Sequence, residues 1–210
     1  RDVAGLRRCG DGLVGAHGLH RPEPVPMPIT TPRLLLRPFE RDDAERLSAA
    51  VSTSYEHLRP WMPWASAEQS AERSLEIIAG WQSKWALRAD LTLGIFDRVN
   101  GELLGGTGLH RIDWTARSFE IGYWINAHHQ GRGYVSETAR ALTDYAFDVL
   151  LAERVEIRLD PSNIRSRAVP MRLEFVHEGT LRRNARGTDD ALRDTEIHAV
   201  IRTDWRPDDA

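Results

Sequence analysis

From Phe119 onward the chain alternates: Phe119, Ile121, Tyr123 and Ile125 are separated by Glu120, Gly122, Trp124 and Asn126, the two-residue period of a strand with unlike faces. The alternation breaks at Asn126–Gly133, where Gly131 and Gly133 relax the backbone. Ala139, Leu142, Thr143, Ala146, Phe147 and Leu150 then recur at three-and-four spacing, predicting a helix that ends near Leu151. The same test applied to the rest of the chain predicts a first strand over Ile29–Phe39 and a helix opened by Asp42 and Asp43 and running through Val51. A short aromatic segment, Tyr55–Trp64, follows and is ended by Pro60 and Pro63. The next helix spans Ser66–Arg88, with Ala71, Leu75, Ile78, Trp81 and Trp85 on one face and Ser66 with Gln69 as a capping box. Its two tryptophans read as core.

Leu91–Phe96 and Leu103–Ile112 form a hairpin around Asp97–Gly101, whose Asn100-Gly101 is a strong turn signal. Val155, Ile157 and Leu159 give another strand, stopped by Pro161. A short helix over about Arg165–Leu173 accommodates Pro170 only if that residue sits in its first turn. Phe175–Leu181 and Thr195–Thr203 are the last strands, joined by a polar loop containing Asn184, Gly187, Asp189 and Asp190. Strands that precede, flank and follow helices specify an α/β fold around one central sheet.

A glycine loop between a strand and a helix start turns several amide N–H groups toward one point, beside the positive end of the helix dipole. Such a site suits a phosphate or pyrophosphate. No Lys-Ser or Lys-Thr follows the glycines, so this is not a P-loop, and G-x-G-x-x-G is missing too. On spacing alone an ordinary strand–turn–helix stays open.

With 210 residues the chain suits one domain, and a net charge of −3 offers no basic face for nucleic acid or an anionic membrane. Lys84 is the only lysine, so positive charge is nearly all arginine. The single cysteine, Cys9, is compatible with a reducing cytoplasm. No apolar run approaches the ~18 residues of a membrane helix. Residues 1–28 carry Pro22, Pro24, Pro26 and Pro28 and read as a disordered extension; their His17, His20 and Cys9 belong to a floppy tail and not to a metal site. The domain itself is expected over 29–206, with a tail at 207–210.

Gln130-Gly131-Arg132-Gly133-Tyr134-Val135 resembles the Gln/Arg-x-x-Gly-x-Gly/Ala pyrophosphate loop of the GNAT N-acetyltransferases. EIGYWI before it, NIRSRAVPMRLEF after it and PRLLLRPF near the start resemble companion motifs in the same order. HLRPWMPW is similar to the branch that includes ribosomal-protein N-terminal-serine acetyltransferases. The resemblance covers about Ile29 to Trp205. It implies a single-domain GNAT fold: a central mixed, mostly antiparallel twisted sheet flanked by helices, and a homodimer.

It also implies acetyl-CoA as co-substrate, no metal, and an amine acceptor. Backbone groups of Ile121, Tyr123, Trp124 and Ile125 are then expected along the pantetheine arm, with Gln130, Gly131, Arg132, Gly133, Tyr134 and Val135 on the pyrophosphate. Val135 departs from the family's Gly or Ala but keeps its amide. Asn163 matches an asparagine that binds the arm, and Ser166 a serine that protonates the leaving thiolate; a helix N-cap is the structural alternative for Ser166. Glu120 occupies the place of a general base, against an outward-facing strand carboxylate, with Asp113 as a rival. The family's carboxylate in the loop after Phe175–Leu181 has no equivalent, Ala185 standing nearest. Glu174 replaces a glycine expected to be left-handed. His128 and His129 are adjacent and diverge, which is wrong for a metal pair. Trp61 and Trp64 wall the acceptor pocket or join the core. The acceptor is expected to be a protein α-amino group, such as a ribosomal protein's; a polyamine, an aminoglycoside, a succinyl donor and a non-catalytic CoA-binding module remain alternatives.

Overall fold

The computed structural model describes residues 25–206 apart from 66 and 68. The extension up to residue 24 with Cys9, His17 and His20, the Ser66 cap, and the tail 207–210 lie outside the described residues. The last residues of the expected disordered extension are in fact packed: Val25 and Met27 lie against the core, and the Pro26 carbonyl accepts from Tyr145 Oη at 2.8 Å.

The expected first strand is two, β1 (Ile29–Thr30) and β2 (Leu34–Pro38), paired antiparallel. Pro32 interrupts the run, and Thr31 Oγ1 accepts from Leu34 N at 2.9 Å to close the turn. A 3₁₀ turn at Arg41–Asp43 leads into α1 (Ala44–Leu58), which continues seven residues past the expected end at Val51. The Tyr55–Leu58 part of the aromatic segment is therefore helical. α2 (Ala71–Ala86) starts later than expected, with Ser70 as its cap accepting from Arg73 N at 3.1 Å. Gln69 is buried and bridges the two helices instead: its carbonyl accepts from Ser48 Oγ at 2.5 Å and its Nε2 donates to Ser74 Oγ at 3.1 Å.

β3 (Leu91–Asp97) and β4 (Leu103–Asp113) form the predicted hairpin, with Gly101 at φ 71° in its turn. β5 (Ser118–Ile125), α3 (Tyr134–Asp148), β6 (Arg154–Leu159), α4 (Ile164–Arg172), β7 (Val176–Arg186) and β8 (Leu192–Ile201) complete the chain. Asn184 thus lies in a strand, not in the loop. Among the described residues the eight strands make one sheet in the order β1-β2-β3-β4-β5-β6-β8-β7, and only β5 and β6 run parallel.

Strand alternation divides the apolar side chains between two layers. Ile95, Leu104, Phe119, Ile121 and Ile125 face α3 and α4, while Phe96, Leu103 and Trp124 face α1 and α2. Trp81 sits 4.9 Å from Phe39, and Trp64 5.7 Å from Trp124, between ring centroids. Trp64 belongs to this core. Gly106 has to be glycine, since a Cβ there would lie 2.3 Å from the Trp124 indole nitrogen. Under the entry to α1, Arg37 grips buried Asp43 through both guanidinium ends at 2.7 and 2.9 Å. Burial works against that carboxylate, but the bonds from Arg37 and Glu40 N, with the Arg37 and Arg46 charges, together hold its pKa below the ordinary value.

Glu174 adopts the left-handed conformation expected of the glycine it replaces, with φ 60°, as α4 closes through Phe175 N to Pro170 O at 2.9 Å. A Cβ in that conformation costs about 1–2 kcal/mol. Glu174→Gly is expected to raise the melting temperature by ~2–4 °C in a thermal denaturation scan.

Candidate functional site

The site follows from where one pairing ends. β5 and β6 pair only through Ser118–Arg154, Phe119–Val155 and Glu120–Glu156. Past those rungs both strands continue without pairing to each other, leaving a split in the sheet. On its other edge β5 stays paired with β4 through Ile125. Backbone groups of β5 that face the split therefore have no strand partner across it, and unpaired main chain is what an extended amide-bearing ligand can satisfy.

The loop above the split is held from below. Ala127 N donates to Ser54 Oγ at 3.0 Å, and His128 N to Asn126 Oδ1 at 3.0 Å. His128 is exposed, whereas His129 is buried with Nε2 3.0 Å from Glu102 Oε1, so the two rings do part. Gly131 and Gly133 both take left-handed φ, 73° and 80°, and α3 starts at the next residue. Glu137 in the first turn would repel an anion, but Arg33 cancels it, with Nη2 2.6 Å from Oε2. Arg33 Nη1 also donates to the Arg132 carbonyl at 2.9 Å and so braces the loop. That role was missed in the sequence, since Arg33 is about a hundred residues from the loop; only its place in PRLLLRPF hinted at it.

Two clefts open onto the split. The first, of about 640 Å³, is lined by Tyr123, Trp124, Ile125, Gln130–Val135, Asn163 and Ser166, with Arg165 and Arg172 at its rim. Every residue expected on the donor except Ile121 lies here. Ile121 has its side chain in the core and borders the other cleft. Arg165 bonds Gln130, and Arg172 Nη1 donates to Ser136 Oγ at 2.8 Å, adding positive charge beside the helix start. His57, on the α1 wall, has its pKa pushed down by burial and by the Arg165 charge.

The second cleft, of about 520 Å³, contains Glu120, Arg158, Asp160, Ala185, Arg193 and Asp194 among its lining. Tyr123, Asn163, Ser166, Trp61 and Met62 line both clefts, so the two meet at the start of α4. Trp61 is on the wall, unlike Trp64. Burial pushes the Glu120 carboxyl up, against the pull of Arg111 at 2.8 Å and Arg158 at 3.9 Å. Asp160 goes the other way: burial raises it, but bonds from Ser162 and Arg193 bring it below its ordinary value. Asp113 lines neither cleft; its Oδ1 accepts from Thr115 N and Ala116 N and serves the β4–β5 turn.

At the junction two expectations are corrected. Asn163, not Ser166, caps α4: its Oδ1 accepts from Ser166 N at 3.1 Å. Pro170 lies in the last turn of α4 rather than the first. Helix geometry tolerates it there because the carbonyl it cannot serve, that of Ser166, accepts from Tyr123 Oη at 3.0 Å. Ser166 Oγ in turn donates to Tyr123 Oη at 3.2 Å.

A further cluster was not anticipated. His177 and His198 are paired across β7–β8, and their ring nitrogens and the Glu196 carboxylate lie within 4.8 Å of one another. Glu196 Oε2 is already engaged by Arg167 Nε at 3.0 Å and His198 Nε2 at 3.0 Å, so the group ties α4 to β8. Strand register brings these residues together, and register between β7 and β8 was not visible in the sequence. Among the described residues no helix is long and apolar enough to cross a membrane.

The family model for the acetyltransferase (GNAT) domain matches residues 33–176. YdaF of Bacillus subtilis (strain 168), provisionally named a ribosomal N-acetyltransferase, is 32% identical over 173 residues, 82% of this chain and 93% of that protein. The [ribosomal protein uS5]-alanine N-acetyltransferase of Escherichia coli (strain K12) is 26% identical over 189 residues, 85% of this chain and 93% of its own length. Mycobacterium smegmatis RimJ, solved in complex with CoA-disulfide, superposes with a TM-score of 0.76 at 26% identity, covering 83% of this chain and 84% of that one.

Proposed function

The chain belongs to the GNAT N-acetyltransferase family, and from that premise we propose that it moves an acetyl group from acetyl-CoA to a protein α-amino group, such as a ribosomal protein's N-terminus. The observation that carries this reading is the meeting of the two clefts at Tyr123 and Ser166, which lets a donor and an acceptor approach one point from two separate clefts. The reading takes 29–206 as one catalytic domain. Amides at Gly131–Val135 hold the pyrophosphate, and β5 backbone at the split together with Asn163 takes the arm. Reaction is by direct attack: the amine nitrogen bonds to the thioester carbon and the C–S bond breaks. Glu120 accepts the amine proton, directly or through water, and Ser166 Oγ gives a proton to the departing thiolate.

Acceptor choice follows from charge. Glu120 and Asp160 in the second cleft are each answered by an arginine, Arg111 at 2.8 Å and Arg193 at 3.1 Å. A polyamine or aminoglycoside needs surplus negative charge there, whereas a peptide N-terminus brings a single amine and a backbone. Incubation with acetyl-CoA and a serine-initiated peptide, with spermidine and an aminoglycoside in parallel, is expected to acetylate the peptide at its α-nitrogen, read by fragmentation mass spectrometry. Spermidine turnover alone sinks the peptide assignment. Succinyl-CoA as competitor reports the acyl choice, and binding without turnover on any amine supports the non-catalytic alternative.

Glu120 makes a pH prediction. Its pKa is raised above 4.5, and a base must be ionised, so activity is lost as pH falls through that raised value. The acid limb of kcat/KM is expected above pH 4.5 in the native enzyme and absent in Glu120→Gln. An unchanged limb in that variant removes Glu120 from the base role.

A further inference from the structure

We propose that the Tyr123 hydroxyl is the positioning group for Ser166, and that Pro170 is what keeps it in that role. The inference rests on Ser166 as the proton donor and goes beyond it. In a regular helix the N–H at position 170 would donate to the carbonyl of Ser166, but proline has none. The vacated acceptor is taken by Tyr123 Oη at 3.0 Å, which has to reach it from β5, across the split. A phenol has one proton to give and can also accept. Its proton goes to the Ser166 carbonyl, and its oxygen accepts from Ser166 Oγ at 3.2 Å. With Ser166 N held by Asn163 at 3.1 Å, all three polar groups of the serine are fixed by two side chains.

A serine hydroxyl otherwise turns among three staggered wells. Here its oxygen is kept at the one place where both clefts are open, and its proton has a single polar partner until a thiolate replaces it. Tyr123 stays protonated in the working range because burial pushes its pKa to about 12, so its proton remains committed to the carbonyl. Were residue 170 an ordinary residue, the carbonyl would be served by the helix and the phenol would be free to turn away from Oγ.

The test uses the full chain, acetyl-CoA, and whichever of a serine-initiated peptide or spermidine gives turnover. Tyr123→Phe keeps the ring and removes the hydroxyl. It is expected to lower kcat about tenfold with KM for acetyl-CoA changed less than about twofold, and to have no further effect on kcat in a Ser166→Ala background. Adding Pro170→Ala to Tyr123→Phe returns a donor to the orphaned carbonyl. That double variant is expected to recover melting temperature but not kcat, since Oγ is still unheld. Recovery of kcat together with stability would reduce Tyr123 to a helix strut and overturn the proposal, as would an equal loss from Tyr123→Phe in both backgrounds. Native kcat in Ser166→Ala would instead overturn the proton-donor reading, and native kcat in Tyr123→Phe alone only the positioning.

Discussion

Gly133→Asp is expected to raise the dissociation constant for acetyl-CoA about a thousandfold while the protein stays folded. The backbone at Gly133 has φ 80°, a conformation that costs a side-chain-bearing residue about 1–2 kcal/mol. Packing adds nothing to that cost, since a Cβ there meets only Arg33 Nη2, at 3.5 Å. Part of the strain is offset, because aspartate is a favourable residue in front of a helix. Binding has no such offset. The new carboxylate stands among the amides proposed to receive the pyrophosphate, and opposing like charges cost several kcal/mol. The strain lowers stability in free and bound protein alike, so the repulsion alone sets the affinity, and roughly 4 kcal/mol of it is a factor of ~10³. Calorimetric titration with acetyl-CoA beside a thermal melt separates affinity from stability. Micromolar binding by the variant would show that the loop does not hold the pyrophosphate.

Ser166→Ala is expected to lower turnover by ~10²-fold or more with CoA affinity nearly unchanged. The structure sharpens this expectation, because the serine no longer doubles as the helix cap. Asn163 keeps that job, and alanine is the better helix former. Only the Oγ bond to Tyr123 disappears, worth about 1 kcal/mol, while Tyr123 still donates to the backbone carbonyl. Single-turnover kinetics and a melting curve on one preparation decide the matter. A melting temperature that falls in proportion to activity would return Ser166 to a structural role.

What could be read in the sequence was what depends on neighbours along the chain. The β5–loop–α3 unit was legible because alternation, two glycines and helical spacing each report one local requirement. The β3–β4 hairpin was legible from Asn100-Gly101, and Glu174 from its position after α4. Errors arose where a distant contact chose between local options. Ser66 with Gln69 has the capping pattern, but burial of Gln69 between α1 and α2 hands the cap to Ser70. Val51 was a reasonable stopping point for α1, yet Leu58 is buried in the core layer with Phe96, Leu103 and Trp124 and pulls the helix on. Pro170 was placed at a helix start because its missing N–H is harmless there; a tyrosine from another strand makes it harmless elsewhere. In the site, the residues that line the first cleft were singled out by motif, whereas the Arg33 brace, the Tyr123 bonds and the Glu196 cluster depend on tertiary approach.

The three rungs between β5 and β6 have a thermodynamic consequence. Leaving aside the two-residue edge strand β1, they make this the thinnest seam in the sheet, stitched from one side by α3, which packs on β2, β4, β5 and β6. A ligand lying along both the loop and the split acts as a removable rung that recognises only the closed seam. Its binding and the cohesion of the sheet are then one linked equilibrium, worth about 2.7 kcal/mol of added stability at a hundredfold excess over its dissociation constant. Amide exchange on Ile121–Ile125 is the place where that linkage would be felt most, so the split seam would also be the gauge of whether the proposed donor is bound.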